Sequence, residues 1–406
     1  MSTEIKSFYQ KTNQAKMQLL SRLEQHQDVV NAAAIIPGHD GVISVSEDKT
    51  LKIWLKRDTG TYWPSVSHVL PSPISSMDYN HQTKRLFVGL ENGYISEFSL
   101  SEDFNRIKLI KNYAAHQNKI KALLFSLDTE WLLSIGRDKY FIWHCSERGQ
   151  RLGAYFCQHI CTALQFDHQS KNAFIGDSNG HIEMIKLENN TYKPITTLKG
   201  HLASVRCLAW DSVNQLLFSG GADKVIICWD IGGKKGTVYE LQGHQNAITS
   251  LYFSNINRQL ISSSEDYMII TWDMSCQRKE TPEWIESDFC QRCQRPFFWN
   301  IKAMYNQKTL GYRQHHCRLC GKAICDDCSS NRSTLPRYGY EFPVRVCNDC
   351  FVTITEADRV SLAKFYDSKH CITHMNIDEA HQLMVTSGFD RVIKLWDISG
   401  LFNNGS

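Results

Sequence analysis

The chain reads as an all-β fold in which seven β-rich repeats close into a ring, with a small cysteine-rich unit inserted in the sixth. Three observations carry this reading. Trp54, Trp143, Trp229, Trp272 and Trp396 recur in similar surroundings at intervals built on 43 residues. Eight of the 15 cysteines fall between 290 and 350. The last tryptophan interval, from Trp272 to Trp396, is about 81 residues too long for one period.

Each tryptophan ends a short run of β-formers that follows an acidic turn, as in Ser46-Glu47-Asp48-Lys49 before Trp54 and Ala222-Asp223-Lys224 before Trp229. Trp229 to Trp272 is one period of 43 residues, and the intervals from Trp54 to Trp143 and from Trp143 to Trp229 are close to two. Each double interval should hide a repeat without tryptophan. Phe98 after Glu91-Asn92-Gly93 and Ile185 after Ser178-Asn179-Gly180 stand at the expected places, which makes seven repeats. A repeat of this kind has an apolar face that it cannot bury alone, and radial packing of neighbours buries it.

The terminal Trp-Asp of several repeats, together with Gly200-His201 and Gly243-His244, resembles the WD-repeat family, whose fold is a β-propeller. The likeness is specific in blades 1, 5, 6 and 7 and degenerate in blades 2 and 4. Blade 3 keeps His116, Asp138 and Trp143, but its turn-to-tryptophan spacing is one residue short. His201, Ser219 and Asp223, or His244, Ser262 and Asp266, have the residue types of a hydrolase triad. Their recurrence argues for a hydrogen-bonded network inside each blade, as the family has, and no catalytic residue is assigned.

Because Trp-Asp ends the third strand of a blade, the surplus falls between the third and fourth strands of blade 6. Those strands lie about 5 Å apart, so an insert with close termini leaves them undisturbed. Ser361 to Tyr366 then reads as the fourth strand of blade 6, and His370 takes the Gly-His position of blade 7. Few residues follow Trp396, so Met17 to Leu23 is the candidate for the last strand and ring closure, on the analogy of the family. The expected organisation is 17–276 for blades 1–6 with the closing strand, 277–357 for the insert, and 358–400 for the rest of blade 6 and blade 7.

The insert carries Cys290-x2-Cys293, Cys317-x2-Cys320, Cys325-x2-Cys328 and Cys347-x2-Cys350. Two thiolates three positions apart reach one tetrahedral zinc from a tight knuckle, and each pair needs a second pair. Four pairs imply two zinc ions in closed, structural sites, and even pairing favours zinc over iron–sulfur ligation. A unit this small lacks the core to fold alone, so metal should be required for its folding. The seven scattered cysteines read as small buried hydrophobes.

Composition excludes little but sets bounds. The net charge is +3, which gives no global field for nucleic acid. Met1 to Gln10 lacks an apolar signal segment, no apolar run of about 18 residues occurs, and the chain is expected to be soluble and cytosolic.

Arg313-Gln314-His315-His316-Cys317-Arg318, Arg345-Val346-Cys347 and the preceding Trp284 resemble the FYVE family. That family binds phosphatidylinositol 3-phosphate on early endosomes. The resemblance implies that the first and third cysteine pairs share one zinc (Cys290, Cys293, Cys325, Cys328) and the second and fourth the other (Cys317, Cys320, Cys347, Cys350). It carries over Arg313, His315, His316, Arg318 and Arg345 as headgroup contacts, where guanidinium forks would converge on phosphate. Two positions depart from the pattern. Gln314 replaces a second basic residue, and Ser287 stands where Trp-x-x-Asp has its acid, which leaves Asp288 as the expected hydroxyl acceptor. Leu310, with Tyr312, is the expected membrane-inserting tip. The two histidines imply tighter binding as pH falls towards about 6. Phe297-Phe298-Trp299 is expected to pack on the propeller.

Taken together, a propeller interrupted by such a module resembles the WD-repeat and FYVE domain-containing proteins over essentially the whole chain. This implies a non-enzymatic early-endosomal scaffold that binds phosphatidylinositol 3-phosphate and gathers protein partners, protein kinases among them. The rivals are a RING-like ubiquitin ligase, which usually has a histidine ligand and a shorter gap between its second and third pairs, and a FYVE-like adaptor that binds a small GTPase instead of lipid.

Overall fold

A computed structural model describes residues 17–233 and 236–402. Its strands form seven four-stranded antiparallel blades. Each blade runs from an inner first strand to an outer fourth strand, as in Val30–Ile36, Gly41–Ser46, Thr50–Lys56 and Tyr62–Val69 of blade 1. Alternation along the strands gives each blade two apolar faces, and neighbouring blades bury them against each other. One such core joins Ile43, Leu51 and Ile53 of blade 1 to Ile74, Leu86 and Phe98 of blade 2.

The seven acidic turns share one backbone device. The residue after the turn acid or asparagine is left-handed in every blade: Lys49, Lys139, Lys224, Tyr267 and Arg391 in five, Gly93 and Gly180 in blades 2 and 4. Glycine is needed at Gly93 for a second reason, since a Cβ there would run into the carbonyl of His116. The two repeats without tryptophan are thus full blades.

The ring closes with Gln18–Glu24, which pairs antiparallel with Val392–Asp397 as the fourth strand of blade 7. Leu23 is buried with Val30 of blade 1 and Val385 and Ile393 of blade 7. Blade 6 is completed by Ala363–Asp367 pairing with Met268–Asp273. The inserted module therefore leaves from the third-to-fourth strand connection of blade 6, as the tryptophan spacing implies.

Blades 1, 5 and 6 contain a chain of hydrogen bonds from Trp through Ser and His to Asp. In blade 5 Trp229 Nε1 donates to Ser219 Oγ (2.8 Å), Ser219 meets His201 Nε2 (2.7 Å), and His201 Nδ1 meets Asp223 (3.0 Å). The distances recur at Trp54, Ser44, His26 and Asp48 and at Trp272, Ser262, His244 and Asp266. Blade 7 uses Thr386 for serine. Every histidine and tryptophan of these sets is buried. The serine is held between two nitrogens and faces no cleft, which explains why a triad composition repeats within one chain.

Blade 3 shows what its short spacing does. The fifth residue of the third strand is tryptophan in blades 1, 5, 6 and 7, but in Tyr140–Cys145 it is His144. Adjacent strand residues face opposite sides, so Trp143 turns away from Ser134 and donates to the Asn189 carbonyl (3.4 Å). His144 fills the tryptophan's site, buried, with Nδ1 unpaired.

The module is docked against the ring by contacts besides its two covalent ties. Its hairpin, Arg332–Leu335 and Tyr340–Arg345, extends the sheet of blade 5 to six strands. Tyr340 pairs in parallel with Gln242, whose N–H donates to the Gly339 carbonyl (2.8 Å). Gly339 is left-handed, and a Cβ there would collide with the Glu240 carbonyl. Arg278 reaches both sides, donating to the Pro336 carbonyl (2.9 Å) and the Asp273 carbonyl (3.0 Å). Glu341 is fully buried and accepts from Ser361 Oγ (2.8 Å).

Candidate functional site: a two-metal module and its basic strand

The eight module cysteines gather into two quartets. Cys290, Cys293, Cys325 and Cys328 have their sulfurs within 4.8 Å of one another, and so do Cys317, Cys320, Cys347 and Cys350. A tetrahedral zinc with bonds of about 2.3 Å requires sulfurs about 3.8 Å apart. Cys293 and Cys325 are separated by 3.7 Å and Cys320 and Cys347 by 3.9 Å. The first and third pairs thus meet, as do the second and fourth.

Knuckle geometry prepares the sulfurs for ionisation. Cys325 N–H points at Cys290 Sγ (3.4 Å), Cys347 N–H at Cys317 Sγ (3.3 Å) and Cys350 N–H at Cys347 Sγ (3.4 Å). Burial alone would raise Cys290, but the amides of Cys293, Arg292 and Cys325 bring it down to about 7. Cys325 and Cys350 go the other way, pushed up by burial and by neighbouring sulfurs. Four thiolates this close need a cation among them, and the donor set fits zinc. The quartets also form the centre of the module's core, with Phe297, Ile324, Leu335 and Val346 around them.

The basic strand lies between the quartets. His315 and His316 pair with Ile324 and Ala323. Strand alternation sends successive side chains to opposite faces, and the candidate residues divide accordingly. On one face His315 Nε2 stands 3.1 Å from Asp326 Oδ1, and Arg345 Nη1 stands 2.7 Å from the same oxygen. Arg345 is also held by the carbonyl and hydroxyl of Ser329 (3.1 and 2.9 Å). Burial, then the nearby Arg345, lowers His315 from its ordinary value, while Asp326 opposes the shift.

On the other face Trp284 stacks on His316, with ring centroids 4.8 Å apart and planes 9° from parallel. The Arg318 guanidinium lies over the same indole, 4.5 Å from its centroid. Glu286 comes within 3.9 Å of His316 Nε2 and accepts from Gln314 (3.3 Å). Arg318 and Arg345 are joined through the backbone, Arg318 N–H to the Arg345 carbonyl (3.0 Å), but their side chains serve different partners. Arg313 is exposed.

Asp288 does not face this strand: its carboxylate accepts from the Trp299 indole (2.9 Å). The acid from the Trp284 segment that comes beside His316 is Glu286, one residue before the out-of-register position rather than one after. Tryptophan at 299 is the signal that could have shown this, because a half-exposed indole N–H draws the nearest carboxylate.

The aromatic stretch is also placed differently from expectation. Phe297 is buried in the module's own core, while Phe298 and Trp299 are 59% and 50% exposed. The long interval after Cys293 contains a helix, Ile301–Gln307, beyond the elements the sequence pattern implies, capped by the Asn300 side chain on Ala303 N–H (3.1 Å) and ended by left-handed Lys308. Asn300 followed by helix formers was the available signal. Leu310, just beyond, is 87% exposed. Tyr312 is half-buried, bridged to Phe297 and bound through its hydroxyl to Arg295 (2.6 Å). Among the described residues no helix is long and apolar enough to cross a membrane.

Comparison with known proteins agrees with this architecture. The FYVE zinc finger family matches residues 283–356. The WD domain, G-beta repeat family matches 17–54, 192–230, 235–273 and 360–397, each ending at the tryptophan strand of a blade with the Trp-centred network. Human "WD repeat and FYVE domain-containing protein 2" is 57% identical, with 94% of this chain and 95% of that protein covered. Human "WD repeat and FYVE domain-containing protein 1" is also 57% identical, covering 94% and 93%. The Caenorhabditis elegans "WD repeat and FYVE domain-containing protein 2" is 39% identical over 95% and 93%. The WD40 β-propeller domain of Doa1 superposes with a TM-score of 0.61 at 14% identity, covering 94% of this chain and 97% of that one, a likeness of fold. With its seven-bladed ring, its two cysteine quartets for two zinc ions and full-length relatives of the same organisation, the chain belongs to the WD repeat and FYVE domain-containing protein family.

Proposed function

We propose that the inserted module binds phosphatidylinositol 3-phosphate at a membrane surface, each cysteine quartet holding one zinc, and that the propeller presents protein partners there. One observation carries the lipid reading. Arg345 and His315 both turn their nitrogens on a single, largely exposed carboxylate oxygen of Asp326. A guanidinium and an imidazole aimed at one exposed anion form a place that a phosphate monoester can take, with stronger, multi-dentate bonds. Arg313, on the same strand face as His315, adds charge. His316 Nε2, buried and without a hydrogen bond, and Glu286 supply a donor and an acceptor for ring hydroxyls, with Glu286 taking the part first given to Asp288. Trp284 and Arg318 hold His316 in place.

Leu310 forms the apolar tip, joined by exposed Ile301 and Tyr305 of the neighbouring helix, with Tyr312 anchoring the base. A single inserted leucine contributes only about 1.5–3 kcal/mol, so insertion and headgroup recognition act together. The finer reading is an early-endosomal scaffold without catalytic chemistry, with protein kinases as one class of partner.

The test is sedimentation with vesicles containing phosphatidylinositol 3-phosphate, other phosphoinositides, or none. Wild type should prefer the first, and Arg345→Ala should bind roughly 10–100-fold more weakly, as expected for loss of a charged contact. Equal binding to all vesicles, or no loss in the variant, removes the lipid reading and leaves a protein-only adaptor.

A further inference from the structure

Blade 4 lacks the repeat's network, and ligand chemistry stands where that network is missing. Cys157 occupies the place of the buried histidine, and Ile185 that of the tryptophan, so the hydrogen-bonded chain of blades 1, 5, 6 and 7 cannot form. Instead, three segments bring two imidazoles and a carboxylate together. Asp177 ends the second strand, Asn172–Asp177, and His181 begins the third, His181–Leu187. His159 comes from the connection that enters the blade after Arg151–Phe156.

The ligand atoms of His159, Asp177 and His181 lie within 4.8 Å of one another. The two rings are 5.8 Å apart and inclined at 56°. Asp177 is 1% exposed. Its Oδ1 accepts the N–H groups of Asn179 (2.8 Å) and His181 (2.9 Å), which orient the carboxylate. Its Oδ2 is buried without a hydrogen-bond partner, and the nearest imidazole nitrogen, His181 Nδ1, is 3.6 Å away. A buried carboxylate oxygen without a partner is costly. Two half-buried histidines converge on it, and this set of donors suits a first-row divalent metal.

We propose that His159, Asp177 and His181 bind a divalent transition metal ion, zinc matching best. Three protein ligands leave one tetrahedral position open for water or an exchangeable donor, unlike the closed thiolate quartets. The hydrogen bonds to Oδ1 supply the outer support that orients a ligating carboxylate. The position in the fold follows from strand direction. Second-to-third strand turns and blade-to-blade connections share one face of the ring, and third-to-fourth connections share the other. The site therefore lies on the face opposite the connection that carries the inserted module.

The experiment uses the full chain dialysed against micromolar free zinc, with metal counted by plasma mass spectrometry. Cobalt replacement gives a second readout, since thiolate sites show sulfur-to-cobalt charge transfer and this site does not. Wild type should hold three zinc ions per chain. His159→Ala and Asp177→Asn should hold two, with unchanged thiolate–cobalt absorption. Third-site affinity should fall at least about 100-fold, more than loss of an outer-shell partner costs. Ser178→Ala, on the same turn, should still hold three. Because His159 lies in a connection outside the strands, its variant keeps the blade. Two zinc ions in wild type, or three in both ligand variants, overturns the site.

Discussion

Blade 5 and the inserted module lie edge to edge in one six-stranded sheet, yet they are held by different means. Blade 5 buries Phe218, Ile226 and Trp229 between its neighbours and locks Trp229 to the chain's repeated network. The module buries five of its eight ligand-set cysteines, Cys290, Cys317, Cys325, Cys328 and Cys347, at the centre of a small apolar cluster. A ring of blades can share apolar faces all the way round, so its stability is spread over many contacts. A small module has no neighbour on most sides and depends on metal. The difference can be broken or sharpened in four ways.

The largest effect should come from zinc removal. A structural zinc site carries about 10–16 kcal/mol of folding free energy. Chelation, or Cys317→Ser, should therefore unfold residues 283–356 while the propeller stays folded. Limited proteolysis with tryptophan fluorescence reads both regions at once. Simultaneous loss of the propeller would show that the hairpin on blade 5 is part of its core rather than an added edge.

Acid should act on the ring through buried neutral histidines. Burial brings His374 down to about 4, and burial followed by Arg151 and His116 brings His144 to about 4. Their folded values lie below the unfolded value of about 6.5. Protonation thus favours the unfolded chain: the contribution is complete above pH 6.5 and is lost as pH falls to about 4. Linkage puts the loss at up to about 3 kcal/mol for each histidine. Asp48, lowered to about 2, loses its contribution only below about pH 4. Denaturant melts at pH 7 and 5 check this, and His144→Gln should flatten the slope. An unchanged slope in that variant would contradict the assignment.

Within the ring, Ser219→Ala strands both His201 Nε2 and Trp229 Nε1 and should cost about 2–3 kcal/mol. Trp143→Phe removes only the long bond to the Asn189 carbonyl, so its hydrogen-bond part should cost under about 1 kcal/mol. Comparable losses in thermal melts at matched core volume would mean the network adds nothing to packing. The smallest effect is expected at the module's tip. Leu310→Ala should leave melting unchanged and weaken vesicle binding about tenfold, near 1.5 kcal/mol. A lowered melting temperature would show that Leu310 packs inward after all.

Much of the fold was legible because repeats and metal knuckles are local signals. Tryptophan spacing located seven blades and the insertion, since each period spells out one blade. Cysteine pairs announced two metal sites, since a knuckle needs only a few consecutive residues. Blade 3 was half legible: the missing residue in its spacing was visible, but the exchange of Trp143 for His144 followed only from strand register. Asp288 illustrates the limit. Its distance from Trp284 along the chain suggested one partner, and Trp299, brought back by the bridge between Phe289 and Pro296, became another.

The sequence by itself determined the ring, the place of the insert and the identity of the thiol ligands. These depend on period, pattern and short-range spacing. Tertiary structure alone decided that the module extends blade 5 through Tyr340 and Gln242, that His315 and Arg345 meet at Asp326, and that His159, Asp177 and His181 meet. Each of these joins segments whose separation in the chain carries no period. Their contact depends on the direction of strands already folded, which no local run of residues encodes.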